Sequence, residues 1–266
     1  MTLSGGELRD LAGLAAAPVT RWLGHELVLL DETTSTNDEA ARRGRDGAHH
    51  GLVIVADTQT RGRGRQGHGW YSPPGENLYL SALLRLDCPP RLAPPLTLAA
   101  GVAVHDAVAS LGVRATLDWP NDVRAGGRKL AGILTETTTR GQTLEFVVLG
   151  IGLDVGTTAF PPELQPIATS LALELAPASA PSRAHALAAL LVELERWLDR
   201  FIAGGAAAIV PAWRERSELV GTRVRVQDGA RTVTGIAHDL DEEGALLVHG
   251  DDGAHHRIFS GEVTTA

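Results

Sequence analysis

The stretch LVIVADTQTRGRGRQGHGW, residues 52–70, decides how this chain is read. Residues 52–56 are a continuous run of aliphatic and β-branched side chains, the mark of a buried strand. The run passes into a ribbon, TQTRGRGRQGHGW (58–70), that holds three arginines and four glycines and ends in Trp70. Glycines permit close backbone approach, so consecutive N–H groups can point at one anion. Arginine matches carboxylate and phosphate with two parallel bonds. Trp70 offers a flat face on which a base can stack. Arg63 and Arg65 alternate with glycine, so an extended ribbon would carry both on one side. Two readings stay open at this point: a ligand loop following a strand, or a short solvated segment of the kind that binds RNA loosely.

Outward from this stretch, the chain alternates strand and helix. Residues 3–16 have helical spacing, 25–30 read as a strand, and TTSTNDEAARRG (33–44) caps a helix starting near Asn37. NLYLSALLRL (77–86) is a strand and 96–111 a helix. Residues 114–117, 130–136 and 144–155 read as further strands. Residues 156–182 hold five prolines and read as an irregular crossing. Residues 184–201 form an amphipathic helix, and a shorter helix lies near 208–215. From 219 onward, TRVRVQ, RTVTGIAHDL, ALLVHG and HHRIFS are short strands separated by Asp-Gly or Glu-Gly turns, as in a small β-barrel. The expected fold is α+β: a mixed sheet flanked by helices over 1–218, and a small C-terminal β-barrel over 219–266.

The totals narrow the function. A net charge of −8 argues against general binding to nucleic acid or anionic membrane, which needs a basic face. The single cysteine, Cys88, rules out an internal disulfide and a cysteine-rich zinc site. With no basic, apolar leader and no apolar run of spanning length, the expected location is cytoplasmic. The ten histidines show no metal-ligand spacing, and no Ser-His-Asp order stands out. Lys129 is the only lysine beside 23 arginines. Lysine is a compact ammonium on a flexible stem, where arginine is a planar fork.

Three more stretches carry chemistry. In DWPNDV (118–123), Asp122 offers a hard oxygen suited to Mg²⁺, although the same residues make an ordinary turn. RKLAGILTE (128–136) sets Lys129 at a strand start, placed to neutralise a carboxylate or α-phosphate during acyl transfer, or merely to guard an edge. VVLGIGLDV (147–155) puts Gly150 and Gly152 in an apolar strand, a sign of close approach or of a bulge.

TTSTN, TQTRGRGRQGHGW, WPNDV, KLAGILTE and GIGLDV occur in the order and rough spacing of the biotin protein ligases, and the C-terminal segment resembles that family's small barrel. The resemblance implies a class II synthetase-like sheet in the ligase-only form, without an N-terminal DNA-binding domain. It implies two steps: biotin and ATP give biotinyl-5′-adenylate and pyrophosphate, then a lysine of a biotin carboxyl carrier domain takes the biotinyl group. Mg²⁺ would assist at Asp122. The resemblance assigns biotin to Ser35, Thr36, Asn37, Gln59, Gly62, Arg63, Gly64, Arg65, Lys129, Gly132 and Gly150. It assigns the adenylate to Arg65, Trp70, Asn121, Lys129 and Asp154, with Lys129 and Arg65 as the catalytic pair. The implied partner is a carboxylase carrier domain, with no specific DNA and no membrane, and a homodimer is one assembly it allows. Three positions depart from the family's pattern: Asp118 stands where lysine is usual, His68 where arginine is, and Asp154 where asparagine is. Each removes positive charge or adds negative charge, so weak ATP binding and strong Mg²⁺ dependence are expected. A lipoate- or octanoate-type ligase and a low-activity adenylate-binding paralogue are the alternatives.

Overall fold

A computed structural model describes residues 8–90, 95–229 and 231–265. The first described helix is α1 (Arg9–Ala16); residues 3–7 of the helix expected there lie outside the described residues. β1 (Leu27–Thr33) runs parallel to β2 (Val53–Gln59), with α2 (Thr36–Arg45) between them in the chain. β3 (Leu78–Leu84) is antiparallel to β2. After α3 (Pro95–Ser110) come β4 (Thr116–Asp118), β5 (Asp122–Ala125), β6 (Arg128–Arg140) and β7 (Thr143–Leu153). Together they form a seven-stranded mixed sheet in the order β1-β2-β3-β7-β6-β5-β4. The crossing over 156–182 contains the short α4 (Leu171–Leu175), capped by the Ser170 hydroxyl. It is followed by α5 (Arg183–Gly204) and α6 (Val210–Glu215).

Side-chain alternation gives the two faces of this sheet different jobs. Val53 and Val55, Leu80 and Ala82, Val147, Leu149 and Ile151 enter the main core, where α3 and α5 pack. α3 is apolar nearly all round and accordingly buried. On the opposite face, Ile54, Leu83, Phe146 and Val148 meet Ala40 of α2 in a small second cluster. Further along that face small residues interrupt the apolar side chains. Ser81, Gly150 and Leu134 lie abreast, and next to them Tyr79, Gly152 and Gly132. The opened space is the site.

β8 (Arg223–Asp228), β9 (Arg231–Leu240), β10 (Leu246–Gly250), β11 (His255–Ile258) and β12 (Glu262–Thr265) form the second sheet, in the order β11-β10-β9-β8-β12. The expected small C-terminal β domain is therefore present, but as a five-stranded sheet and not as the barrel expected. Its ladder is open, because no pairing joins β11 to β12 among the described residues. Val224, Val226, Leu246 and Ile258 continue the main core, and the Trp119 indole N–H donates to the Gly244 carbonyl at 3.2 Å. No described helix is long and apolar enough to cross a membrane.

One buried carboxylate ties the segment before β1 to α5. Glu195, 5% exposed, accepts the backbone N–H groups of Arg21, Trp22 and Leu23 at 2.7–3.0 Å. Those donors hold its pKa below the ordinary glutamate value despite burial. A depressed carboxylate stabilises the fold above its unfolded pKa and loses that contribution as pH falls through the folded value. Glu195→Gln is expected to cost about 1.5–3 kcal/mol at neutral pH. The gap from wild type should close in acid below the ordinary glutamate range, as read from urea midpoints at several pH values. A gap that stays constant into acid would contradict this account.

Candidate active site

The cavity between the seven-stranded sheet, the 58–70 ribbon and β12 has a volume of about 480 Å³. Its inner end is a neutral hydrogen-bonding cluster at the start of α2. Ser35, Thr36 and Asn37 are 3–4% exposed, although the Ser35 hydroxyl makes no cap bond. Gln59 Oε1 accepts the Thr36 backbone N–H at 2.9 Å, and Ser81 Oγ lies 2.6 Å from Asn37 Oδ1 and 2.8 Å from Thr36 Oγ1. The Asn37 amide donates to Glu136 Oε2 at 2.7 Å. Such a set of donors and acceptors suits an uncharged polar ring.

The glycines make room first for protein. A methyl group at Gly150 would stand 2.2 Å from Asn37 Oδ1. Methyl groups at Gly132 and Gly152 would stand 2.9 and 2.4 Å from the Trp70 ring. Gly132 and Gly152 face each other across β6 and β7, so Trp70 lies over a two-glycine floor. The indole N–H is buried there without a hydrogen-bond partner among the described residues.

The ribbon is a folded lobe rather than an extended strip. Trp70 N donates to Gly62 O and Gly64 N to His68 O, and Gln66 turns the tip with a φ of 54°. The fold-back sends the two arginines apart, contrary to the single side expected from their alternation. Arg63 reaches Asp38 on α2 and Glu136 on β6. Arg65 Nη1 donates to Asn121 Oδ1 at 3.1 Å, in the β4–β5 turn.

Four basic side chains line the cavity: Arg63, Arg65, Arg124 and Lys129. Arg124 is hydrogen-bonded to Asp118 at 2.6 Å, Lys129 Nζ stands 2.7 Å from Asp122 Oδ1 as an ion pair without hydrogen-bond alignment, and Arg63 is paired with its two carboxylates. Arg65 instead has a neutral bonded partner. Burial lowers its pKa from the ordinary arginine value, while the charges of Asp122, Glu262 and Asp228 oppose that shift. A half-buried guanidinium beside a neutral amide is well placed to receive an anion.

Two of the three acidic or neutral departures are muted by their surroundings. Asp118 is held by Arg124, and burial pushes its pKa up. Asp154 does not reach the cavity wall. Its carboxyl accepts the Asn77 amide at 3.0 Å beneath the sheet end, and burial drives its pKa well above the carboxylate range. The Asp154 carboxyl is thus engaged in a buried bond, and its contact with nucleotide rests on the resemblance alone. His68 remains on the cavity lining.

Among the described residues no three His, Cys, Asp or Glu side chains converge as a metal cage. Asp122 does present a carboxylate at the wall, directly across the hairpin from Asp118. That donor set fits an Mg²⁺ ion carried mainly by substrate phosphates and water. Sequence reading missed Gly261, Glu262, Val263 and Thr264, which bring the C-terminal lobe into the wall. EVTT is too short to show a period, and only its pairing with β8 makes it a strand.

Residues 29–154 match the biotin/lipoate A/B protein ligase family, and residues 220–264 match the biotin protein ligase C-terminal domain. The chain is 42% identical over 230 residues to the biotin–(acetyl-CoA-carboxylase) ligase of Mycobacterium tuberculosis, covering 84% of this chain and 83% of that protein. It is 34% identical over 247 residues to the bifunctional ligase/repressor BirA of Bacillus spizizenii, covering 92% and 75%. The biotin protein ligase of Aquifex aeolicus in complex with biotin and ATP superposes with a TM-score of 0.76 at 28% identity, covering 91% of this chain and 98% of that one. The chain belongs to the biotin protein ligase family.

Proposed function

We propose that the protein is an ATP-dependent biotin–protein ligase that biotinylates a lysine on the carrier domain of a carboxylase. One observation carries the reading: a single cavity joins the neutral cluster of Ser35, Thr36, Asn37 and Gln59 to Arg65 and Lys129. The ureido ring would meet the first group, with the backbone at Gly62–Gly64 closing over it. In the first step a biotin carboxylate oxygen attacks the α-phosphorus, and the bond to the β-phosphate oxygen breaks, releasing pyrophosphate. Lys129 and Arg65 would offset the charge on carboxylate and phosphate, with Trp70 and Asn121 at the adenine. Mg²⁺, when bound near Asp122, would supply further neutralisation of the phosphates. In the second step the carrier lysine amine attacks the acyl carbon and AMP leaves. Residues 1–218 would house the chemistry, and 219–266 would complete the wall through Glu262–Thr264.

The test is the mass of a carrier domain after incubation with protein, ATP and biotin. Addition of one biotin to one lysine is expected. Modification with lipoate but not biotin would overturn the assignment.

Arg65→Ala is expected to weaken retention of biotinyl-adenylate by about 1.5–3 kcal/mol, the worth of a hydrogen bond to a charged group. Biotin alone should lose less, since Arg65 lies beyond the neutral end. Calorimetry with biotin and with a non-hydrolysable adenylate analogue compares the two. Equal losses would remove Arg65 from the phosphate side.

A further inference from the structure

Arg63 and Arg65 of the ribbon have different partners, and Arg63 already stands between two carboxylates. Its Nη2 donates to Asp38 Oδ1 at 2.7 Å and to Glu136 Oε2 at 3.2 Å. The same Glu136 oxygen accepts the Asn37 amide at 2.7 Å. Asn37 is 4% exposed, and its own oxygen lies 2.6 Å from Ser81 Oγ. One carboxylate oxygen thus joins the ribbon to the neutral end of the cavity.

We propose that Asp38 and Glu136 form a latch for the 58–70 ribbon, with Glu136 as a positioning residue that couples ribbon closure to the orientation of Asn37. At its base the ribbon is anchored by backbone bonds, Thr60 N and Arg61 N donating to the Thr33 and Thr34 carbonyls, and at its far end Trp70 packs over Gly132 and Gly152. Between these anchors the lobe is closed on itself by backbone bonds, and its charged ties to the rest of the described protein run through Arg63. Arg65 adds a single bond to a neutral amide. The pairs are partly exposed, with side chains 40–50% accessible, so each is weak enough to open and re-form. A strong, buried clasp would hold the ribbon shut against the entry of ligand and of a carrier domain. A weak pair of clasps keeps closure and opening near balance, as a gating loop requires. The shared oxygen gives direction to the coupling: a ligand that fixes Asn37 also fixes Glu136, and so favours the latched ribbon. This last consequence rests on the proposed ligase reading; the latch itself does not.

Asp38→Asn and Glu136→Gln remove the charge while keeping the ribbon sequence intact, and glutamine can still accept the Asn37 amide. In the ligand-free protein, amide hydrogen exchange over 60–70 is expected to quicken about three-fold in each variant, as for loss of an exposed ion pair. The thermal midpoint and exchange elsewhere should stay at wild-type values. With Arg63→Ala already present, neither change should add to the exchange rate, because the pair is already broken. Unchanged exchange in both single variants, or full additivity with Arg63→Ala, would overturn the latch. Escape of biotinyl-adenylate, trapped with hydroxylamine, should rise in the same variants, and by linkage the Kd for biotin should rise by no more than the same factor. Faster exchange without faster escape would overturn the coupling to retention. A wild-type protein that forms no adenylate would defeat the ligase reading, and the exchange data would still decide the latch.

Discussion

Lys129→Arg is expected to slow adenylate formation about 10²–10³-fold although the charge is kept, a loss on the scale of removing one donor aimed at developing charge. The structure fixes where the ammonium stands. The Lys129 backbone is clamped, its N–H donating to Ile167 O at 2.8 Å and its carbonyl accepting Thr169 N at 2.9 Å. Its Nζ lies 2.7 Å from Asp122 Oδ1 and 5.4 Å from the centre of the Trp70 ring. An ammonium can pair with Asp122 and still turn its donors into the cavity. A guanidinium in the same place would lock onto the carboxylate with two parallel bonds and occupy a plane instead of a point. Pyrophosphate release on mixing protein, biotin, ATP and Mg²⁺ measures the step. A variant within about five-fold of wild type would take Lys129 out of the chemistry, well short of the loss expected for such a donor.

The lysine was visible in the sequence because it stands alone among arginines, and the strands were visible because their apolar residues alternate or run unbroken. Elements whose identity depends on a distant partner were harder to see. DWPNDV carries proline, asparagine and aspartate, which locally mean a turn. Only its pairing, Asp122 opposite Asp118 of β4 and opposite Gly132 of β6, makes its two ends the close of β4 and the start of β5. The same limit applies in the site. The glycines of β6 and β7 announce an open floor, but the sequence does not say what covers it. Asn37 and Trp70 are remote in the chain from Gly150 and Gly152, and both arrive through tertiary packing. The arginine ribbon was misread in one respect for a related reason. Alternation along an extended chain puts Arg63 and Arg65 together, whereas a lobe that folds back with Gln66 at positive φ sends each to its own partner.

Gly150→Ala is expected to weaken biotin binding about 10²-fold or more, for a reason that can be isolated. The new methyl group would stand 2.2 Å from Asn37 Oδ1 and 2.9 Å from its Cγ, so the amide must leave. Asn37 has little freedom to yield. It lies in the first turn of α2, whose Ala40 is packed against Leu83 and Phe146, and its amide is spent on Glu136 and on the Leu134 carbonyl. Driving it out leaves buried polar groups unpaired, at about 1–3 kcal/mol each. Asn37→Ala removes the obstacle and should itself weaken biotin binding. Adding Gly150→Ala to it should then cost little more, a strongly non-additive cycle. Gly152→Ala provides the contrast. Its methyl would strike the Trp70 ring at 2.4 Å, but Trp70 closes a surface ribbon and can swing away. That variant should keep its affinity for biotin and raise the KM for ATP, because the face lost belongs to the adenine end. Calorimetry for biotin and initial rates against ATP separate the two. If Gly150→Ala binds biotin within three-fold of wild type, Asn37 is not part of the biotin site. If both glycine variants lose biotin equally, the cavity does not divide into a neutral end under Asn37 and a nucleotide end under Trp70.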